Sequence, residues 1–85
     1  MKRFGKIVRE FRHAKGMSLA AVARLVGIER GYLSDIETGR VNPPSPGVVR
    51  GLARALDCDL KQLLLRATVE KAPPEIQSEL RKVLI

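Results

Sequence analysis

The apolar positions of this chain recur at the three- and four-residue spacing of α-helices. Phe4, Ile7, Val8 and Phe11 form one apolar stripe, which predicts a first helix over residues 3–15. Four further segments show the same period and predict short helices. These segments cover residues 19–26, about 30–38, 46–56 and about 60–67.

Residues that favour helix ends stand between these segments. Ser18, Ser45 and Asp59 are placed to cap the helices that follow them, since their side chains can accept a hydrogen bond from a free first-turn amide. Gly27 and Gly39 can adopt the left-handed backbone that ends a helix. The sequence therefore predicts an all-α fold with five compact helices over residues 1–67.

The last segment, residues 68–85, differs in composition. Pro74 can open another helix from about residue 74, and an apolar stripe runs through Ile76, Leu80, Val83 and Leu84. We predict a C-terminal extension that packs on its own domain, pairs with a partner helix across a dimer, or is a mobile end.

Small and apolar residues between positions 19 and 40 are spaced for two helices that cross closely. Ala23 precedes Gly27 by four residues, and Leu33 and Ile36 supply apolar positions on the second helix. This spacing predicts a helix-turn-helix, in which the second helix lies in the DNA major groove. Double-stranded DNA is the predicted partner.

The excess positive charge lies beside this motif. The chain has a net charge of +7, and residues 1–56 hold eleven Lys or Arg against four acidic residues. Residues 57–85 hold five of each sign. A one-sided positive field attracts polyanions and gives salt-dependent binding, so the charge distribution favours nucleic acid as the partner.

Several classes of protein are disfavoured by composition. Cys58 is the only cysteine and His13 the only histidine, so we expect no disulfide, no metal and no cofactor. The glycines form neither a phosphate loop nor a dinucleotide fingerprint, and we expect no enzyme activity. No signal peptide or membrane span is evident, and a cytoplasmic location is expected.

The chain resembles the Xre/Cro family of helix-turn-helix regulators, which includes small phage repressors and Cro proteins. The resemblance covers residues 4–64. It rests on the segments FGKIVREFR, GMS, AVARLVGIERGYLSDIETG, NPPSP, LARAL and LKQLL. It implies a repressor-like five-helix domain that binds DNA.

The resemblance also implies which side chains read bases. These are Arg30, Gly31, Tyr32, Ser34 and Asp35, at the start of the third helix. The guanidinium of Arg30 can donate two parallel hydrogen bonds to guanine, although pairing with Glu29 or with phosphate alone is the alternative. Packing is the alternative role for Tyr32, and Gly31 allows close backbone approach.

Four residues are implied as contacts to the DNA backbone: Ser18, Thr38, Arg40 and Asn42. In this family, an Arg near the end of the first helix commonly pairs with a Glu near the end of the third. Arg12 and Glu37 occupy those positions and are expected to form a structural ion pair.

Three positions depart from the family pattern. Leu19 replaces a polar residue, often Gln, that supports a phosphate or base contact. Asp35 adds negative charge near the DNA. Leu25 stands where a charged residue is more common, and it is expected to be exposed or to cover part of the C-terminal segment. The DNA target is therefore expected to differ from those of relatives.

These features predict a sequence-specific transcriptional regulator, in the first place a repressor that binds a palindromic operator as a homodimer. Its two reading helices would lie about 34 Å apart. One alternative is a protein-interaction module, such as an antitoxin or adaptor subunit, that uses the C-terminal apolar stripe to hold a protein partner. Another is a controller of a restriction-modification system, which the pattern at residues 30–34 also fits.

Overall fold

The computed structural model describes residues 3–84, and the side chains of residues 3–83. Within that part the chain forms helices and no strands, so the predicted all-α class is confirmed. The helices are α1 (Phe4–Ala14), α2 (Leu19–Val26), α3 (Arg30–Thr38), α4 (Pro46–Leu56), α5 (Leu60–Lys71) and α6 (Pro74–Leu84).

The core lies where the first five helices meet. The helix α1 packs mainly against α3, α2 against α4 and α3, and α5 against α4 and α1. The first five helices contribute most of the apolar positions that their sequence period predicted, whereas Phe11 of the predicted α1 stripe is exposed. The buried members are Phe4, Ile7, Val8, Val22, Ala23, Leu33, Ile36, Val49, Leu52, Ala53, Leu56, Leu63 and Ala67.

The helix ends show how local sequence sets the boundaries. The hydroxyl oxygen of Ser18 accepts from Ala21 N at 3.0 Å, and Asp59 Oδ1 accepts from Gln62 N at 3.1 Å. Gly27 ends α2 with φ at 83°. The prediction of a side-chain cap at Ser45 is wrong. Ser45 occupies the cap position of α4, but its side chain accepts no hydrogen bond from an amide of the first turn.

A glycine sets the closest approach between α1 and α3. A Cβ added to Gly5 would overlap the carbonyl oxygen of Ile36 and lie 2.8 Å from that of Glu37. Only a residue without a side chain fits at this crossing. The first turn of α1 is thereby held against the last turn of α3.

The helix α5 continues to Lys71, four residues past the predicted end at residue 67. It therefore crosses the predicted division of the chain between residues 67 and 68, because Val69 is also fully buried and extends the apolar face. The helix α6 begins at Pro74 and packs chiefly on α5. Leu84 and Ile85 of the predicted C-terminal stripe lie outside the described side chains.

Candidate nucleic-acid interface

The helix α3 is divided into an outer and an inner face. Arg30, Gly31 and Tyr32 are exposed in its first turn, whereas Leu33 and Ile36 are buried in the core. A Cβ added to Gly31 would have no neighbouring atom within 4 Å, so the backbone is open there. The first turn thus offers one long cationic side chain, one aromatic ring and bare backbone to a ligand.

The two remaining residues of the predicted reading set are less accessible. Ser34 and Asp35 are each half-buried. The main-chain oxygens of both residues accept hydrogen bonds from within the turn. That of Ser34 accepts from the hydroxyl of Thr38, and that of Asp35 from the amide of Arg40. Ser34 and Asp35 are therefore less available to a ligand than the exposed residues of the first turn.

Two departures from the family pattern have different surroundings. Leu19 is half-buried and packs against the core, so the position is used for packing in place of polar support. Leu25 is 64% exposed, which is the first of the two situations expected for it. An apolar side chain therefore stands on the surface of α2.

The residues predicted to contact the DNA backbone stand at the beginning of α2, at the end of α3 and in the loop after α3. Ser18 is exposed at the beginning of α2, and its hydroxyl, which already accepts from Ala21 N, still has a proton to donate. Arg40 and Asn42 are exposed in the loop after α3. Thr38 is also exposed, but its hydroxyl donates to Ser34 O at 3.0 Å, so a phosphate contact would require this bond to be exchanged.

Arg12 and Glu37 form a bidentate ion pair beneath this surface. Arg12 Nε donates to Glu37 Oε2 at 2.7 Å and Nη2 donates to Oε1 at 2.9 Å. Both residues are buried, and Nη1 of Arg12 also donates to Met17 O at 2.9 Å. The hydrogen bonds with Glu37 raise the pKa of Arg12 by more than burial lowers it. The pair joins the end of α1 to the end of α3 and to the turn before α2.

Three residues that sequence reasoning missed hold this surface in place. Gly5 sets the α1–α3 crossing, and the signal for it was a glycine in the first turn of a predicted helix, since glycine is a poor helix former. Glu70 Oε1 accepts from Phe4 N at 2.5 Å, and Lys71 Nζ donates to Pro44 O at 2.7 Å. No local pattern predicts the last two contacts, because their partners lie at least 27 residues away.

The remaining chemistry of the described residues is limited. Within residues 3–84, no three His, Cys, Asp or Glu side chains cluster closely enough to hold a metal ion. Nor is any helix of that range long and apolar enough to cross a membrane. Burial raises the pKa of the Cys58 thiol, and the neighbouring carboxylates of Asp57 and Asp59 raise it further.

Most of the chain matches a known protein family. The profile of the family described as helix-turn-helix domain matches residues 3–66. The chain belongs to the helix-turn-helix domain family. The resemblance predicted from the sequence is thereby confirmed, and the matched residues include all of α1 to α4 and the first half of α5.

Similar proteins include one described as a transcriptional regulator and one described by its place in a phage control region. The chain is 32% identical over 75 residues to the uncharacterized HTH-type transcriptional regulator RghRB of Bacillus subtilis (strain 168), covering 88% of this chain and 54% of that protein. It is 34% identical over 62 residues to the ImmF control region 10 kDa protein of Bacillus phage phi105, covering 73% and 68% of the two chains. The chain thus spans about half the length of RghRB.

A third relative is known in sequence and in structure. The HTH-type transcriptional regulator SinR of Bacillus subtilis (strain 168) is 28% identical over 80 residues, covering 94% of this chain and 72% of SinR. A solved structure of a SinR protein/SinI protein complex matches with a TM-score of 0.68, at 28% identity, over 94% of this chain and 77% of that one. These relatives confirm the predicted class, a DNA-binding helix-turn-helix regulator of transcription.

Proposed function

We propose that this helix-turn-helix protein represses transcription by binding a palindromic operator as a homodimer. The observation that carries the proposal is the exposed first turn of α3, where Arg30, Gly31 and Tyr32 project from a helix whose opposite face is anchored in the core. A helix held in this way enters the major groove by its N-terminal end. Action on DNA inside the cell also makes the cytoplasm the proposed location.

Arg30 is the proposed main reader. Its exposed guanidinium carries paired donors that fit guanine O6 and N7, a contact worth about 1–3 kcal/mol of discrimination between bases. Tyr32 and the open backbone at Gly31 complete the proposed reading surface, with Ser34 and Asp35 at its edge. Ser18, Thr38, Arg40 and Asn42 are the proposed phosphate contacts, which set the position of the helix and not the sequence it reads.

Selection from random duplexes tests this function. We expect one sequence to be enriched, with two inverted half-sites whose centres lie about 34 Å apart. Arg30→Ala should relax the choice at one position of each half-site and leave the free energy of unfolding unchanged, because the side chain is exposed. A matched control is Arg54→Ala, an exposed cation on α4. Enrichment of no sequence would overturn the proposal.

A second candidate function is protein binding through the C-terminal helix, in the manner of an antitoxin or adaptor. The observation that favours it is the exposed apolar surface of α6, where Ile76 is 42% and Val83 is 80% exposed. A similar solved structure is itself a complex of two proteins, SinR and SinI. The same stripe would serve equally as a dimer contact between two copies of this chain.

Removal of residues 73–85 deletes α6 and tests its two proposed roles, while the contacts of the folded core are kept. The cut leaves the buried Val69 and both tethers from Glu70 and Lys71 in place. If α6 forms the dimer, the truncated protein should sediment as a monomer and bind the selected duplex weakly. A dimer that persists after truncation would exclude α6 as the dimer contact. The controller role would be supported if the selected operator lay upstream of a restriction gene.

A further inference from the structure

A groove of about 800 Å³ lies between α1, the end of α3 and α6. Arg3, Lys6 and Arg9 line one wall, and all three are exposed. Lys6 and Arg9 are three residues apart on one side of α1, and Arg3 is its N-cap residue, so the three cations form a row at the beginning of the helix, here called the α1 basic face. Arg81 of α6 lines the groove as well.

The α1 basic face begins beside the end of α3. Arg3 Cζ lies 3.8 Å from the position of a Cβ added to Gly39, so the guanidinium reaches the residue that ends α3. Thr38 and Asn42, two of the proposed phosphate contacts, line the same groove. The cations of α1 therefore extend the proposed DNA-contact surface without a break.

The carboxylates that line the groove do not neutralise the positive charge of the α1 basic face. Glu37 is buried and holds Arg12, and Glu70 accepts the amide of Phe4. Glu10 is exposed and lines both this groove and the neighbouring one between α1 and α5, so it is one exposed carboxylate beside Arg3, Lys6, Arg9 and Arg81. The exposed cations on α1 and α6 therefore outnumber the exposed carboxylates.

We propose that the α1 basic face binds DNA phosphates that lie outside the half-site read by α3. This inference rests on the proposed DNA-binding function. Arg3 and Arg9 are six residues apart, or about 9 Å along the helix axis. That length exceeds one phosphate group, so the row fits a run of phosphates along a strand. Because these contacts meet no base edges, they add affinity that is independent of sequence.

The test compares two variants of equal charge by fluorescence anisotropy with the selected duplex. Arg3→Gln/Lys6→Gln/Arg9→Gln removes the α1 basic face, whereas Arg54→Gln/Lys61→Gln/Arg66→Gln removes three cations that do not line the groove. Each phosphate contact releases about 0.9 counterion, so the first variant should lose about 2–3 per bound protomer, or about 5 for the homodimer, from the slope of log K against log salt. Between 50 and 200 mM salt, the Kd of the wild type should therefore rise by a factor about 1,000 larger than the Kd of this variant. The control variant should keep the wild-type slope.

A second measurement locates the contacts on the DNA. Neutral methylphosphonates that replace phosphates just outside each half-site should weaken DNA binding by the wild type. They should leave DNA binding by the α1 variant unchanged. The single variants Lys6→Gln and Arg9→Gln make the same test with less risk to folding, and each should lower the slope by about 1 per bound protomer. The inference is overturned if the α1 variant keeps the wild-type slope, or if it loses discrimination between sequences. Failure of the wild type to select any duplex would instead overturn the proposed function.

Discussion

The amide nitrogen of Phe4 donates to Oε1 of Glu70 at 2.5 Å, across 66 positions of the chain. The first-turn amides of a helix have no partner within that helix, and Arg3 at the cap position of α1 supplies none through its side chain. A carboxylate is also favourable at the positive end of the helix dipole. Glu70, near the end of α5, therefore caps the first turn of α1.

Removal of this cap should destabilise the fold. Glu70→Ala leaves a half-buried amide without its charged acceptor, and we expect the free energy of unfolding to fall by about 1.5 kcal/mol. Glu70→Gln should lose less, since its side chain still accepts a hydrogen bond. Urea unfolding and hydrogen exchange at the Phe4 amide measure both effects. Glu79→Gln, exposed on α6, is the matched control, and equal stabilities of the Glu70 and Glu79 variants would contradict this role.

A single substitution in the Arg12–Glu37 pair should destabilise the fold more than substitution of both residues. Arg12→Met strands the buried carboxylate of Glu37, and we expect a loss of about 3–5 kcal/mol of unfolding free energy. Arg12→Met/Glu37→Leu removes both charges and should recover most of that loss. A double-mutant cycle in urea gives the coupling energy. Independent, additive effects of the two substitutions would show that the pair contributes no stability of its own.

Substitution by alanine should change the free energy of unfolding in opposite directions at the two helical glycines Gly31 and Gly5. Gly31→Ala meets no atom within 4 Å and should raise the free energy of unfolding by about 1 kcal/mol through better helix propensity. Gly5→Ala forces a methyl group against the backbone of α3 and should lower it by about 3 kcal/mol. Thermal unfolding compares the two variants. If bare backbone at Gly31 approaches DNA, the more stable variant should also bind the selected duplex more weakly.

Cys58 should react slowly with alkylating reagents in the folded protein. Burial, with help from Asp57 and Asp59, raises the pKa of its thiol, and the thiolate is the reactive form. The pH profile of iodoacetamide alkylation should be shifted to higher pH than that of the same chain unfolded in guanidinium. Because the folded-state pKa is the higher one, thiol ionisation should also lower the unfolding free energy as the pH rises through the unfolded and then the folded value. Coincident profiles would contradict the shift.

The sequence predicted those parts of the fold that depend on local spacing. The helices from α1 to α4 follow from stripes such as Phe4 and Val8, and from end signals such as Ser18 and Gly27. The end of α5 was placed too early, because the sequence after Ala67 changes in composition. Val69 is nevertheless buried, and the helix continues for as long as its inner side meets the core.

The candidate interface was predictable only in part. Motif spacing nominated Arg30 and Tyr32, and the structure has both side chains exposed. The half-burial of Ser34 and Asp35 depends on how α3 rotates against the core, which a sequence pattern does not specify. The contacts of Glu70 and Lys71 depend on where a distant helix ends. Such contacts between distant parts of the chain can be identified only from the folded structure.

The two-sided character of α3 bears on how regulators of this kind diverge. Leu33, Ile36 and Glu37 anchor the helix in its own domain, while Arg30, Gly31 and Tyr32 are exposed and are not members of the buried core. Substitutions in the outer set can therefore accumulate at little thermodynamic cost, whereas the inner set is constrained by folding. A gene copy of this protein would be free to acquire a new operator through a few changes in one helical turn while its scaffold remained the same.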